Sequence, residues 1–188
     1  NCCTKGDINV AKHYLETLAD LLESKINFAY PKENTLEEAL EKIQSLPLQD
    51  KPILLIEPAD NIGGGTPGDA TDLLSRLLQS DHEGIVAIIN DPAAAKECHQ
   101  HHLGEEIELD IGAKFDEFHG SPIKLKATIQ KLSDGRFTLE NKQSHLASMM
   151  GMNIDMGLSA VLINKQLTLL VTSIKTPPMD LGQLISQD

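Results

Sequence analysis

The chain has 188 residues and a formal net charge of −12, from 28 acidic against 16 basic side chains. That balance excludes non-specific attraction to nucleic acid or to an anionic membrane surface, and no apolar run approaches the roughly 18 residues that a spanning helix needs. Aromatic residues make up only 3% and Trp is missing, so any core must rest on Leu, Ile, Val and Ala.

Cys2, Cys3 and Cys98 are the three cysteines. Two of them are adjacent and the count is odd, which makes no disulfide framework; a reducing, cytoplasmic setting is the expectation. The chain opens on Asn1 rather than Met, and a new segment at Leu181 breaks off by Asp188. It reads as a fragment of a longer protein.

In chain order, Ile8 to Ile26 carries Val10, Tyr14, Leu15, Leu18, Leu21 and Leu22 at helical spacing, with Asp7 as N-cap. Thr35 and Glu38 form a capping box for a second helix with Leu36, Ala39, Leu40 and Ile43 on one stripe. Ile53-Leu54-Leu55-Ile56, between Pro52 and Pro58, predicts a buried strand. A glycine-rich loop follows, then a helix over 70–78 lined by Leu73, Leu74, Leu77 and Leu78. Ile85 to Ile89 predicts a second apolar strand, and Pro92 to His102 a fourth helix with Pro92 in its first turn. Residues 51–103 thus read β-loop-α-β-α, a right-handed parallel crossover.

Past Gly104 the period changes to two. Glu106 to Ile111 alternates, as do Ile123, Leu125, Ala127 and Ile129. Ser133-Asp134-Gly135-Arg136 is a turn, and 160–163 with 167–172 form a hairpin about Asn164-Lys165-Gln166. The fold class expected is α/β, or mixed α+β. A crossover layer precedes a mainly antiparallel half, in one domain over 1–188 with a helical lead-in over 1–50.

The segment Asp60-Asn61-Ile62-Gly63-Gly64-Gly65-Thr66-Pro67-Gly68-Asp69-Ala70-Thr71 carries the most chemical information. Glycine permits φ > 0 and close approach of backbone to a ligand, and a helix start exposes N–H groups that suit an anion. No Lys follows Gly68, so a Walker loop is disfavoured. The spacing Gly63, Gly65, Gly68 fits the dinucleotide pattern, with Asp91 placed for a ribose. Against it, Pro67 removes an N–H and Asp69 puts negative charge where the anion would sit. The plain alternative is a long turn whose Asp69 caps the following helix.

Cys98, His99, His101 and His102 cluster near a helix end, where they could hold a metal. With no second Cys/His pair at zinc spacing, a solvated helix end beside the C-terminal dipole is preferred. Lys114, Asp116 and His119 share a loop between Gly112 and Gly120 and could polarise a carbonyl or carboxylate. Met149, Met150, Met152 and Met156 read as core filler or as an adaptable surface. No Gly-x-Ser-x-Gly nucleophile motif is present.

The segment 60–71 resembles the Asp-Asn-x-Gly-Gly-Gly-x-x-Gly-Asp-x-Thr signature of MlrC-type proteins. That family is named for microcystin-degradation protein C and is associated with zinc metallopeptidase activity. The likeness continues through Ala19, Leu22, Phe28, Glu37 to Leu40 and Asp91-Pro92. Gly112-Ala113-Lys114 stands where the family has Gly-Gly-Lys, and His119-Gly120-x-Pro122 and Ser133 to Phe137 match in turn. Met156 to Leu162 and Val171-Thr172-Ser173 complete the resemblance over nearly the whole chain.

The resemblance implies the C-terminal, substrate-facing domain of a zinc-dependent amide or peptide hydrolase. Its zinc would sit in an N-terminal domain ahead of Asn1, leaving no catalytic residue, metal ligand or cofactor in this chain. The substrate-binding set expected is Asp60, Asn61, Gly63, Gly64, Gly65, Gly68, Asp69, Thr71, Lys114 and His119. In it the N–H groups of Gly63 to Gly65 bind a carboxylate or carbonyl, Asp60 and Asn61 orient it, and Lys114 and His119 complete the pocket. The expected partners are that N-terminal metal-binding domain, a small peptide-like substrate and, as a further option, a second copy. Two alternatives use the same residues: a non-catalytic small-molecule or nucleotide-binding module, and a scaffold domain.

Overall fold

Local capping starts the first two main helices where the sequence predicts. The Asp7 carboxylate accepts from the Asn9 amide at 2.8 Å ahead of α1 (Ile8–Ser24), and a short α2 (Ile26–Ala29) follows. Thr35 and Glu38 close a reciprocal capping box at the start of α3 (Leu36–Ser45). The computed structural model describes residues 1–29, 32–47 and 51–187, so the lead-in boundary expected at residue 50 lies outside the described residues. Two compact units divide the chain, Asn1–Ile53 and Leu54–Asp188. The first unit is helical, with no buried residue in α1 or α3.

The second unit holds α4 (Asp72–Leu78), β1 (Ile85–Asn90), α5 (Pro92–Cys98), β2 (Glu106–Ile111), β3 (Ile123–Ser133), β4 (Arg136–Thr138), α6 (His145–Met150), β5 (Asn153–Asp155), β6 (Ser159–Ile163), β7 (Leu167–Thr172) and α7 (Gly182–Ile185). Five strands form one sheet in the order β1-β7-β6-β3-β2, and β4 pairs with β5 separately. β1 runs parallel to β7, and the other neighbours in the large sheet are antiparallel. The α/β mixture and the antiparallel second half therefore stand.

The crossover takes a different form. Residues 53–56 make no strand; Leu54 is 81% and Ile56 78% exposed. Apolar character alone does not make a strand, since each backbone polar group also needs a ladder partner. None is offered among the described residues, and the flanking Pro52 and Pro58 have no N–H to give. The parallel partner of β1 comes instead from β7, at the far end of the chain.

Both faces of the sheet are covered. One face buries Ile107, Leu109, Leu125, Ala127, Leu162, Leu169 and Val171 against Ala94, Ala95 and Cys98 of α5. The other packs Val161 and Leu170 against Phe137, Leu139, Leu146, Ile154 and Met156. This explains why β6 and β7 are buried along nearly their whole length whereas β2, at the border of the sheet, alternates strictly between exposed and buried. Met156 is core, whereas Met149 and Met150 are exposed.

Candidate functional site

Parallel strands point their C-terminal ends at the loops that follow, the place where open α/β sheets hold ligands. Here β1 ends in Asn90-Asp91 and β7 in Thr172, and two loops, 57–71 and 112–121, gather at that end. The Asn90 amide donates to the Gly68 carbonyl at 2.8 Å, and its side-chain Nδ2 to the Pro67 carbonyl at 3.1 Å.

Three aspartates fasten this assembly. Asp60 accepts from the amides of Gly68 (2.8 Å) and Ala70 (2.7 Å), folding the glycine loop on itself. Asp69, 1% exposed, accepts through Oδ2 from the amides of Lys114 (2.7 Å) and Phe115 (3.3 Å). Asp91, 2% exposed, caps α5 through Ala94 N–H (3.0 Å), accepts from the Gly112 amide (2.9 Å) and pairs with Lys114 Nζ (2.8 Å). Thr71 adds its hydroxyl to the Ser121 carbonyl at 2.8 Å, while its amide donates to the His119 carbonyl at 3.0 Å.

Two expected roles change as a result. Asp69 does not cap α4; Thr71 occupies that position, without a side-chain cap bond. The carboxylate is drawn to the two amides across the loop instead. Nor do the glycine amides form an open anion cradle. Asn61 caps a 3₁₀ turn over Ile62–Gly64, in which Gly63 N–H donates to Asn61 Oδ1 and Gly64 N–H to the Asn61 carbonyl. Gly65 N–H donates to the Ile62 carbonyl. All three donors are used within the turn, so the glycines here serve conformation: Gly65 ends the turn at φ +101°. Ala113, where the resembling family carries glycine, is the one non-glycine residue at positive φ among those described (+46°).

His119 links the loops through charge. Its Nδ1 lies 2.8 and 2.9 Å from the two Asp116 carboxylate oxygens. That hydrogen bond raises its pKa above the usual histidine value despite partial desolvation, helped by the charges of Asp116 and Asp60 and the Ala59 backbone. Burial alone would raise the Asp60 pKa, but the Gly68 and Ala70 amides and the charge of His119 bring it below the usual carboxylate value. Asp116 is lowered too, first by the Phe118 amide.

A raised histidine pKa contributes stability that is complete below the unfolded value, about pH 6.5, and is lost as pH rises through the folded one. His119→Gln is therefore expected to lose more stability at pH 5.5–6 than at pH 9. Urea unfolding across that range checks this, and a difference that ignores pH would contradict the ionic link.

The other expected group separates. Cys98 is fully buried, and its thiol is pushed up to about 11 by that burial. His99 Nε2 meets the Ser159 carbonyl at 3.1 Å, and His101 Nδ1 meets Glu105 at 2.7 Å. Among the described residues no three His, Cys, Asp or Glu side chains converge as metal ligands. No described helix is long and apolar enough to cross a membrane. Sequence reasoning missed Lys175, whose Nζ reaches the Thr66 carbonyl at 2.8 Å from beyond β7. It also missed Asp91 as the residue that ties loop 112–121 to the end of β1 and the start of α5; the only local signal was Asp-Pro at a strand end.

A sheet end of this kind, with two stapled loops and buried aspartates, defines an α/β domain with a loop-built face at the C-terminal end of its parallel strands. Residues 55–188 match the family described as MlrC C-terminus, and the chain belongs to that family. It is 31% identical over 84 residues to Microcystinase C of Sphingomonas sp., a match that spans 44% of this chain and 17% of that protein. A crystal structure of a protein from Mesorhizobium sp. BNC1, provisionally named a metallopeptidase, superposes with a TM-score of 0.76 at 22% identity. That match covers 91% of this chain and 33% of the other, and at such identity it establishes the fold. The chain thus spans about a third or less of the length of these relatives.

Proposed function

We propose that this chain forms the substrate-facing wall of a zinc-dependent amide or peptide hydrolase, whose metal is held by an N-terminal domain of the full-length protein. The observation that carries the proposal is the stapling of loops 57–71 and 112–121 into one face by Asp60, Asp69 and Asp91, in a chain of the MlrC C-terminus family. A relative named Microcystinase C and a neighbour provisionally named a metallopeptidase support the same direction.

Within that face the residues divide by task. Asn61 and Gly63 to Gly65 are exposed and form the surface that meets substrate. Asp60, Gly68, Asp69, Thr71, Lys114 and His119 hold it in shape. The face binds and orients a small peptide-like substrate; no bond-breaking step is assigned to its side chains. The nucleotide-binding reading loses ground because the Gly63 to Gly65 amides are already used within the turn and Asp60 and Asp69 put negative charge in the same loop.

The test uses the full-length protein. Chelation is expected to abolish amide hydrolysis and zinc to restore it, and Asp60→Asn to keep the metal while lowering turnover at least roughly tenfold, about 1.4 kcal/mol. Hydrolysis that survives metal removal, or wild-type turnover in Asp60→Asn, would sink the proposal. Loss of metal from Asp60→Asn would place the loop in the metal site and contradict the wall.

A further inference from the structure

Helix α1 divides its side chains strictly. At about 100° per residue, Val10, Tyr14, Leu15, Leu18, Leu21 and Leu22 fall in one half of the helix, and Lys12, Glu16, Asp20 and Glu23 in the other. The apolar half is left to solvent: α1 holds no buried residue, and Leu18 is 51% and Leu22 64% exposed. A helix of 17 residues is marginal in water on its own and is held chiefly by packing its apolar face. An exposed apolar face this continuous marks an interaction surface, which scattered single leucines do not.

Charge, width and length select what covers it. The polar half sets Glu16, Asp20 and Glu23 against Lys12, the reverse of the basic polar face that holds a helix on an anionic membrane. The apolar half is broader than the two-position seam of a helix pair, so pairing with the same helix of a second copy would cover only part of it. The family match starts at residue 55, past the helices. Yet the match to the Mesorhizobium protein covers 91% of this chain, more than the second unit alone can supply. At least part of the helical unit therefore has a counterpart in that protein, and the matched stretch is only 33% of its length.

We infer that the apolar half of α1 is the seat of the N-terminal domain of the full-length protein. The helix completes the core of that domain and leaves Lys12, Glu16, Asp20 and Glu23 in solvent. This rests on the proposed N-terminal domain being present, but on neither its metal nor its reaction. Burial of α1 is read without zinc or turnover, so its failure leaves the hydrolase proposal standing, and failure of the hydrolase proposal leaves this surface standing.

The test is hydrogen exchange, read by mass spectrometry, on the full-length protein and on the 188-residue chain, each at a low and a high protein concentration. The expected result is that peptides from 8–24 exchange at least roughly tenfold more slowly in the full-length protein at both concentrations, while those from β6 and β7 exchange alike in the two proteins. In the full-length protein Leu18→Glu, at the centre of the apolar half, should remove that protection, and Asp20→Asn, on the polar half, should keep it. If Leu18→Glu does not fold, the wild-type comparison decides alone. Equal exchange of 8–24 in the two proteins, or protection that survives Leu18→Glu, would overturn the inference. So would protection that appears in the 188-residue chain as its concentration rises, which gives the face to a second copy.

Discussion

Asp91→Ala is expected to be the most damaging single substitution in the second unit. The change removes a helix cap, an acceptor for the Gly112 amide and the counter-charge of Lys114 together. Truncating one partner of a buried ion pair costs about 3–5 kcal/mol, a large share of the ~5–15 kcal/mol that holds a domain together. Asp91→Asn keeps an oxygen for one amide and loses the ionic partner, so it should cost less, roughly 1–3 kcal/mol. Because the chain has no Trp, far-UV circular dichroism in urea is the suitable probe. An Asp91→Ala midpoint equal to wild type would show that loop 112–121 is held by something other than this carboxylate.

Gly112→Ala should come next, at about 2–5 kcal/mol, for two additive reasons. Gly112 sits at φ +68°, where a side chain costs about 1–2 kcal/mol. A Cβ there would also lie 2.6 Å from Thr71 Cγ2 and 2.7 Å from the Asp69 carbonyl oxygen, and overpacking adds roughly 1–3 kcal/mol. Gly65→Ala separates the two contributions. Its φ is +101°, but nothing lies within 4 Å of the added carbon, so only backbone strain remains and the loss should be about 1–2 kcal/mol. Equal losses at both positions would mean that the close approach of loop 112–121 to Thr71 is not a constraint.

These predictions mark the boundary of what the chain reveals before folding. Features set by neighbours in sequence are legible. The Thr35–Glu38 box, the Asp7 and Asp91-Pro92 helix starts, the alternation of β2 and the Asn164 hairpin all appear where local rules put them. The Asn164 side chain even accepts from Gln166 and Leu167 N–H, as a turn asparagine should. Features set by partners far along the chain are not. Four apolar residues at 53–56 look like a strand, but pairing decides, and β1 takes β7 instead. Asp69 looks like a helix cap from its position, yet the amides it satisfies belong to Lys114 and Phe115.

The glycine-rich segment shows the same division within one loop. Its importance is legible, because four glycines beside three acidic or amide side chains exceed what a turn requires. Its mechanism is not, because only the folded turn shows Gly63, Gly64 and Gly65 giving their N–H groups to Asn61 and Ile62. What remains exposed is the Asn61 side of the turn, held in place by Asp60 from beneath and by Lys175 from beyond β7.

The central claim is that this held face meets the substrate while the metal lies elsewhere. Steady-state kinetics of the full-length protein carrying Asn61→Ala, with zinc content measured on the same samples, tests it most directly. Asn61 is exposed and touches no predicted metal ligand, so the account predicts unchanged zinc and a kcat/KM lowered at least roughly tenfold. Wild-type kcat/KM with full zinc occupancy would contradict it.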